Sequence, residues 1–162
     1  MKKLTKKQLA ENRPIFYFND DKNSEIRAGG ILFYKYNKTN FDLLLTYSRN
    51  NYEDFGGCTD ENDKNIIDTI SREVVEESNN IFNQTEIKKK LEDAHCVYVK
   101  HCKYIVYFVE LAEDYDVSLF GDTEVCDNFK RTVEWVPYDT INNIKLNFRL
   151  KSYNVLNYLK TL

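Results

Sequence analysis

The chain has 162 residues, enough to bury a core in one domain, and 42% of them are hydrophobic with 14% aromatic. Five glycines and two prolines exclude a collagen-like or linker-rich chain, and a net charge of −3 argues against general nucleic-acid affinity. The start, "MKKLTKK", is locally basic but leads into "QLAENRP" rather than an apolar run, so neither a signal segment nor a transmembrane span is expected, and the expected location is the cytoplasm.

In chain order, residues 1–25 read as a basic N-terminal extension. "IRAGGILFYKY" (26–36) and "FDLLLTYS" (41–48) are rich in β-branched and aromatic residues and flank the polar "NKTN", which predicts two strands joined by a short turn. "RNNYEDFGGCTDEND" (49–63) is polar, carries Gly56 and Gly57, and reads as a loop leading into a helix. From Asp63, the expected N-cap, Ile66, Ile67, Ile70 and Val74 recur at helical spacing and predict one buried stripe. Asp68 and Arg72 form an i, i+4 pair on that helix. The helix is expected to end at "SNN" (78–80), where asparagine suits a left-handed C-cap.

A second helix is predicted over 85–94, with Ile87 and Leu91 facing inward. Residues 96–111 read as strand material turning near Lys100 to Lys103, residues 112–128 as an acidic loop, and "RTVEWVPY" (131–138) as a further strand. Val155, Leu156, Leu159 and Leu162 set an amphipathic pattern near the C-terminus. Strands interleaved with helices predict an α/β chain in which a mixed sheet lies between helices, an α/β/α sandwich over a single domain, 1–162. The cysteines Cys58, Cys96, Cys102 and Cys126 form no C-x-x-C pair and read as free thiols. The repeat "HCVYVKHC" (95–102) sits in a β-rich stretch and reads as packing rather than as a metal site.

The sharpest chemical feature is "SREVVEES" (71–78), which places Glu73 beside both Glu76 and Glu77 on one helical face. Like charges at this spacing cost about 0.3 kcal/mol per contact when solvated, and partial burial raises that cost. A divalent cation removes the repulsion, and carboxylate oxygens are the hard donors that Mg²⁺ or Mn²⁺ prefers. A solvated acidic face is the competing interpretation.

Together with its upstream residues, "GGCTDENDKNIIDTISREVVEESNN" resembles the box of the Nudix hydrolases, G-x5-E-x7-R-E-U-x-E-E-x-G-U with U aliphatic. Gly57 matches the leading glycine, and Arg72, Glu73, Val74, Glu76 and Glu77 match the central segment. "AGGILFY" upstream, "DFGG" just before the box and the late "EWVPYD" also resemble family elements. The chain departs from the pattern in three places. It has one extra residue between Gly57 and Arg72, with Asp63 taken as the substitute for the first glutamate. Asn79 stands for the closing glycine, and Asn80 stands for the last aliphatic position, a contact that Ile81 is expected to supply.

The resemblance implies metal-assisted hydrolysis of a diphosphate joined to an organic group. It implies that Glu76 and Glu77 ligate Mg²⁺ or Mn²⁺, that Glu73 is a further ligand or the general base, and that Arg72 orients Glu73. The backbone carbonyl of Gly57 completes the set, Asp63 secures the loop-helix junction, and Glu124 or Asp127 supplies a further carboxylate. Arg27 and Arg49 are candidates for substrate phosphate and Phe55 for base stacking. The expected partner is a phosphorylated small molecule such as a nucleotide, nucleotide sugar or dinucleoside polyphosphate. The alternatives are capped RNA followed by the lysines at 2, 3, 6 and 7, a diphosphoinositol polyphosphate, or nucleotide binding without catalysis.

Overall fold

The computed structural model describes Thr5, Gln8 and residues 11–162. Lys2, Lys3, Lys6 and Lys7 lie outside the described residues. Two short antiparallel strands, β1 (Phe16–Tyr17) and β2 (Glu25–Ile26), lead into β3 (Ala28–Tyr36). The expected turn brings β4 (Phe41–Ser48) back antiparallel on β3, and the Asn37 side chain holds that turn by accepting from the backbone N–H groups of Thr39 and Asn40.

The polar stretch 49–63, expected to be a loop, instead contributes β5 (Asn51–Glu53) and β6 (Phe55–Cys58). Arg49 and Asn50 both take left-handed conformations, φ 50° and 63°, which is the backbone a tight two-residue hairpin needs, so β5 folds onto β4. β6 pairs with β3 in a register that sets Gly57 against Gly29 and Gly56 against Gly30. A β-carbon at Gly30 or Gly56 would overlap the Tyr104 hydroxyl, so these glycines keep room for the side chains packed beneath them.

Helix α1 (Ile66–Glu77) forms where the periodicity predicts it, with Ile70 and Val74 buried. Its N-cap is Asn65, not Asp63: the Asn65 side chain accepts from the Asp68 N–H at 2.9 Å. The predicted Asp68–Arg72 pair is absent, because Lys88 takes Asp68 at 2.9 Å and Asp63 takes Arg72. Asn79 and Asn80, at φ 52° and 64°, end the helix as expected, and Ile81 packs at the edge of the core with Phe82 buried beside it.

Helix α2 (Gln84–Glu92) buries Ile87 and Leu91, and the strands β7 (His95–Val99) and β8 (Tyr104–Glu110) form a hairpin around Lys103. The acidic stretch contains a 3-10 turn (Val117–Phe120) and a minimal ribbon of β9 (Thr123–Glu124) with β10 (Phe129–Lys130). Then follow β11 (Thr132–Pro137) and α3 (Tyr153–Leu159).

The main sheet runs β11-β4-β3-β8-β7, with β5 beside β4 and β6 beside β3. The β3–β8 pairing is parallel and the others are antiparallel, which gives the mixed sheet expected. Strand alternation divides the interior into two cores. Ile31, Phe33 and Leu44 face α1 and α2, while Leu32, Leu43, Leu45 and Val106 face Leu150 and α3. Among the described residues, all four cysteines are free and no helix is long and apolar enough to cross a membrane. His95 stacks on Tyr158 with ring centroids 3.9 Å apart, whereas His101 lies in a 3-10 turn, so the two histidines share no strand face.

Candidate active site

The acids of α1 lie against the β6 backbone. A β-carbon at Gly57 would overlap the Glu73 carboxyl, so the glycine lets that carboxylate press against the strand. One step along β6, the Gly56 N–H donates to Glu77 Oε2 at 3.1 Å.

Arg72 braces the group. Its guanidinium donates to Glu73 Oε1 at 2.9 Å, to the Cys58 carbonyl at 3.1 Å and to Asp63 Oδ2 at 3.0 Å, and it lies 3.6 Å from Glu76. Asp63 Oδ2 also accepts from the Asp60 N–H at 2.8 Å and from the Thr69 hydroxyl at 2.7 Å, so this one carboxylate ties the loop to the helix. Burial pushes the Asp63 carboxyl up, but the hydrogen bonds from Arg72, Thr69 and Asp60 outweigh it and hold the group below its ordinary value. The extra loop residue is thus absorbed without separating Asp63 from Arg72.

Glu124, on β9, is buried against the same acids, with Asp127 beside it. Burial, then the charges of Asp127 and Glu73, push the Glu124 carboxyl up to about 7. Glu77 is raised well above its ordinary value, first by burial and then by Glu73, Glu124 and Asp54. Burial also raises Glu73, although Arg72 opposes it.

Two further ties hold this arrangement together, one from Asn79, read in the sequence only as the end of the helix, and one from Arg131, missed there. Asn79 reaches the segment that carries Glu124, and Arg131 donates to the carbonyls of Glu77, Gly121 and Phe120 at 2.6, 2.7 and 3.0 Å. Both act across long sequence separations on backbone atoms, which leave no side-chain pattern to read.

The substrate candidates fare differently. Phe55 is excluded as a stacking surface: it is fully buried and packs edge-on against Phe33 at 5.6 Å, because strand alternation turns it into the core facing α1. Arg27 lies beside Cys58 and Thr59 with its guanidinium paired to Glu25 at 3.1 Å. Arg49 stacks over the Phe129 ring at 4.9 Å, and Phe129 is the β10 partner of Glu124, so Arg49 stands beside the acidic ribbon.

A further missed group lies on the other side of β6. Asp54, fully buried, accepts from the Tyr104 hydroxyl at 2.6 Å and from Arg149 at 2.8 and 3.0 Å, and Arg149 stacks over the Tyr104 ring at 4.7 Å.

Among the described residues, no three His, Cys, Asp or Glu side chains already converge as a metal cage, and Glu73 and Glu76 are each engaged by Arg72. The donor set nevertheless fits a hard divalent cation. Glu73, Glu76, Glu77, Glu124 and Asp127 share one neighbourhood, and the Gly56 N–H is the one hydrogen-bond donor to the buried Glu77 carboxylate among the described residues.

The chain superposes on the Ap4A hydrolase of C. elegans with a TM-score of 0.51 at 16% identity, covering 84% of this chain and 96% of that one. The fold is the Nudix fold. RenU, a Nudix hydrolase from M. smegmatis, matches with a TM-score of 0.50 at 13% identity, covering 84% of this chain and 86% of that one. No protein-family model matches the sequence, and no curated protein matches it. At these identities the likeness to Nudix proteins is one of fold, and the chemistry rests on the site itself.

Proposed function

We propose that the chain is a metal-dependent pyrophosphohydrolase that splits a diphosphate linkage in a nucleoside diphosphate derivative. The observation that carries this proposal is the meeting of Glu73, Glu76 and Glu77 of α1 with Glu124 of β9, a group of acids that holds more buried carboxylate than its cations balance. Mg²⁺ or Mn²⁺ bound there supplies Lewis-acid activation of water and neutralises charge on the phosphate oxygens. Glu76 and Glu77 would hold it, with the Gly57 carbonyl and with Glu124 or Asp127. Arg72 holds Oε1 of Glu73, which leaves Oε2 as the atom able to take a proton from the attacking water. The upward push that burial gives this carboxyl suits it to that task.

Arg49, with its planar fork beside the acidic ribbon, is the residue best placed to meet a substrate phosphate. Dinucleoside polyphosphates head the substrate panel, since the C. elegans enzyme of the same fold is an Ap4A hydrolase. Nucleoside triphosphates, nucleotide sugars, a cap analogue and a diphosphoinositol compound complete it.

The test is release of mononucleotide or phosphate with Mg²⁺ or Mn²⁺, and its loss in Glu76→Gln. Saturable nucleotide binding with no turnover across the panel would show a binding module instead. Absence of a saturable Mn²⁺ site would leave α1 as an acidic face.

A further inference from the structure

Given the metal-dependent hydrolase proposed above, we propose that Asn79 is a positioning residue: its carboxamide clamps the backbone on both sides of Glu124 and holds that carboxylate beside the acids of α1. Asn79 takes a left-handed conformation, φ 52°, just past the end of α1. Glycine is the residue such a position accepts most readily, and it is the residue the Nudix box has there. Asparagine tolerates the same backbone and adds one planar group with two donor hydrogens and an acceptor.

The whole of that group is used on one segment. Asn79 Nδ2 donates to the Phe120 carbonyl at 2.8 Å and to the Thr123 carbonyl at 2.7 Å, while Oδ1 accepts from the Val125 N–H at 2.9 Å. Thr123 and Val125 are the immediate neighbours of Glu124, so the amide fixes the peptide entering that residue and the peptide leaving it. Arg131 adds an independent tie, joining the Glu77 carbonyl to the carbonyls of Phe120 and Gly121. The last turn of α1 and the loop bearing the opposing acid therefore behave as one piece. An aspartate at 79 supplies the acceptor without the donors, and a glycine supplies neither.

Groups that orient a metal's ligands contribute roughly 10- to 100-fold to its affinity. Calorimetric titration with Mn²⁺ should show wild-type protein binding about tenfold more tightly than Asn79→Gly and Asn79→Asp. Asn79→Gly keeps the left-handed backbone without strain, so its thermal melt reports whether the fold is retained. Without metal, hydrogen exchange at the Val125 amide should speed up in Asn79→Gly. The decisive comparison is with Glu124→Gln: if Asn79 acts through Glu124, adding Asn79→Gly to that variant costs no further affinity.

Equal Mn²⁺ affinity in wild type and Asn79→Gly, or a loss of the same size with and without Glu124, overturns the proposal. If wild type binds Mn²⁺ and Glu77→Gln abolishes that binding, such a result removes the role of Asn79 and leaves the hydrolase standing. If wild type binds no Mn²⁺, both fall together.

Discussion

The two sides of β6 hold buried carboxylates in opposite electrostatic conditions. Below the strand, Asp54 has no exposed side-chain surface, and its charge is met within the chain by the double contact with Arg149 and by the Tyr104 hydroxyl. Burial works against the Arg149 charge, but Asp54 and its neighbours outweigh it and hold the guanidinium protonated. Above the strand, Glu77 is partly buried and has Glu73 and the buried Glu124 as neighbours, while Arg72 is spent on Asp63, Glu73 and Glu76. The difference separates a buried acid that serves the architecture from the acids to which the proposed function assigns a site. Asp54 completes its own charge balance, whereas the α1 group leaves its balance open to a cation from solution.

The widest separation between the two groups should appear in Glu77→Gln. Hydrolysis by this variant should fall roughly 10³-fold, since a charge-stabilising group is lost from the site. Its metal-free form should melt higher than wild type, because one buried acid is gone, and calorimetry on both forms checks the pair of outcomes. Asp54→Ala should do the reverse. Taking the Asp54 carboxylate from Arg149, which among the described residues then keeps only Glu53 as an ion-pair partner, at 3.8 Å, costs about 3 kcal/mol in urea denaturation, and the double change Asp54→Leu with Arg149→Met should recover most of that loss.

A smaller effect follows from pH. The folded Glu124 carboxyl titrates at about 7, above its ordinary 4.5, so the folded form holds a proton that the unfolded chain releases. Its contribution to stability is full below 4.5 and is lost as the pH rises through about 7. Metal-free protein should therefore lose stability across that window, and saturating Mn²⁺ should reverse the trend because the ligands must be deprotonated. A flat metal-free melting profile from pH 4.5 to 7 would count against the buried-acid cluster. Smallest of all, Arg27→Ala removes an exposed pair with Glu25 and should change stability by less than about 0.5 kcal/mol.

What was legible in the sequence follows the range of the interactions. Helix α1 and its ending were legible because a helical stripe and a left-handed asparagine are local facts. The chemistry proposed for it starts from a local fact too, since Glu73, Glu76 and Glu77 share a face by spacing alone. The N-cap was misplaced by two residues, since Asp63 and Asn65 are both good caps and only the fold sends Asp63 to Arg72 instead. The helical spacing of Asp68 and Arg72 was real, but Lys88 and Asp63 offered each a better partner. β5 and β6 were hidden because both are short and lie in a polar, glycine-bearing stretch; what makes them strands is the left-handed Arg49–Asn50 turn that folds β5 onto β4 and the glycine-on-glycine register of β6 with β3. Phe55 was misassigned for the same reason, since once β6 is a strand, alternation sends Phe55 into the core. The Asp54–Arg149 pair spans 95 residues and carries no local signal at all.

The parallel union of β3 with β8 carries a consequence for the order of assembly. Hairpins such as β3–β4 and β7–β8 close over a few residues, but joining β3 to β8 requires the whole stretch between Ala28 and Tyr104 to be gathered first. The acids of α1 lie within that stretch and Glu124 lies beyond it. While the chain is open Glu124 is separate from the acids of α1 and all of them are hydrated, where their mutual repulsion is weak. Glu124 comes within reach of the acids of α1 only once the long closure has gathered the chain, when enough apolar surface is already buried to hold them together.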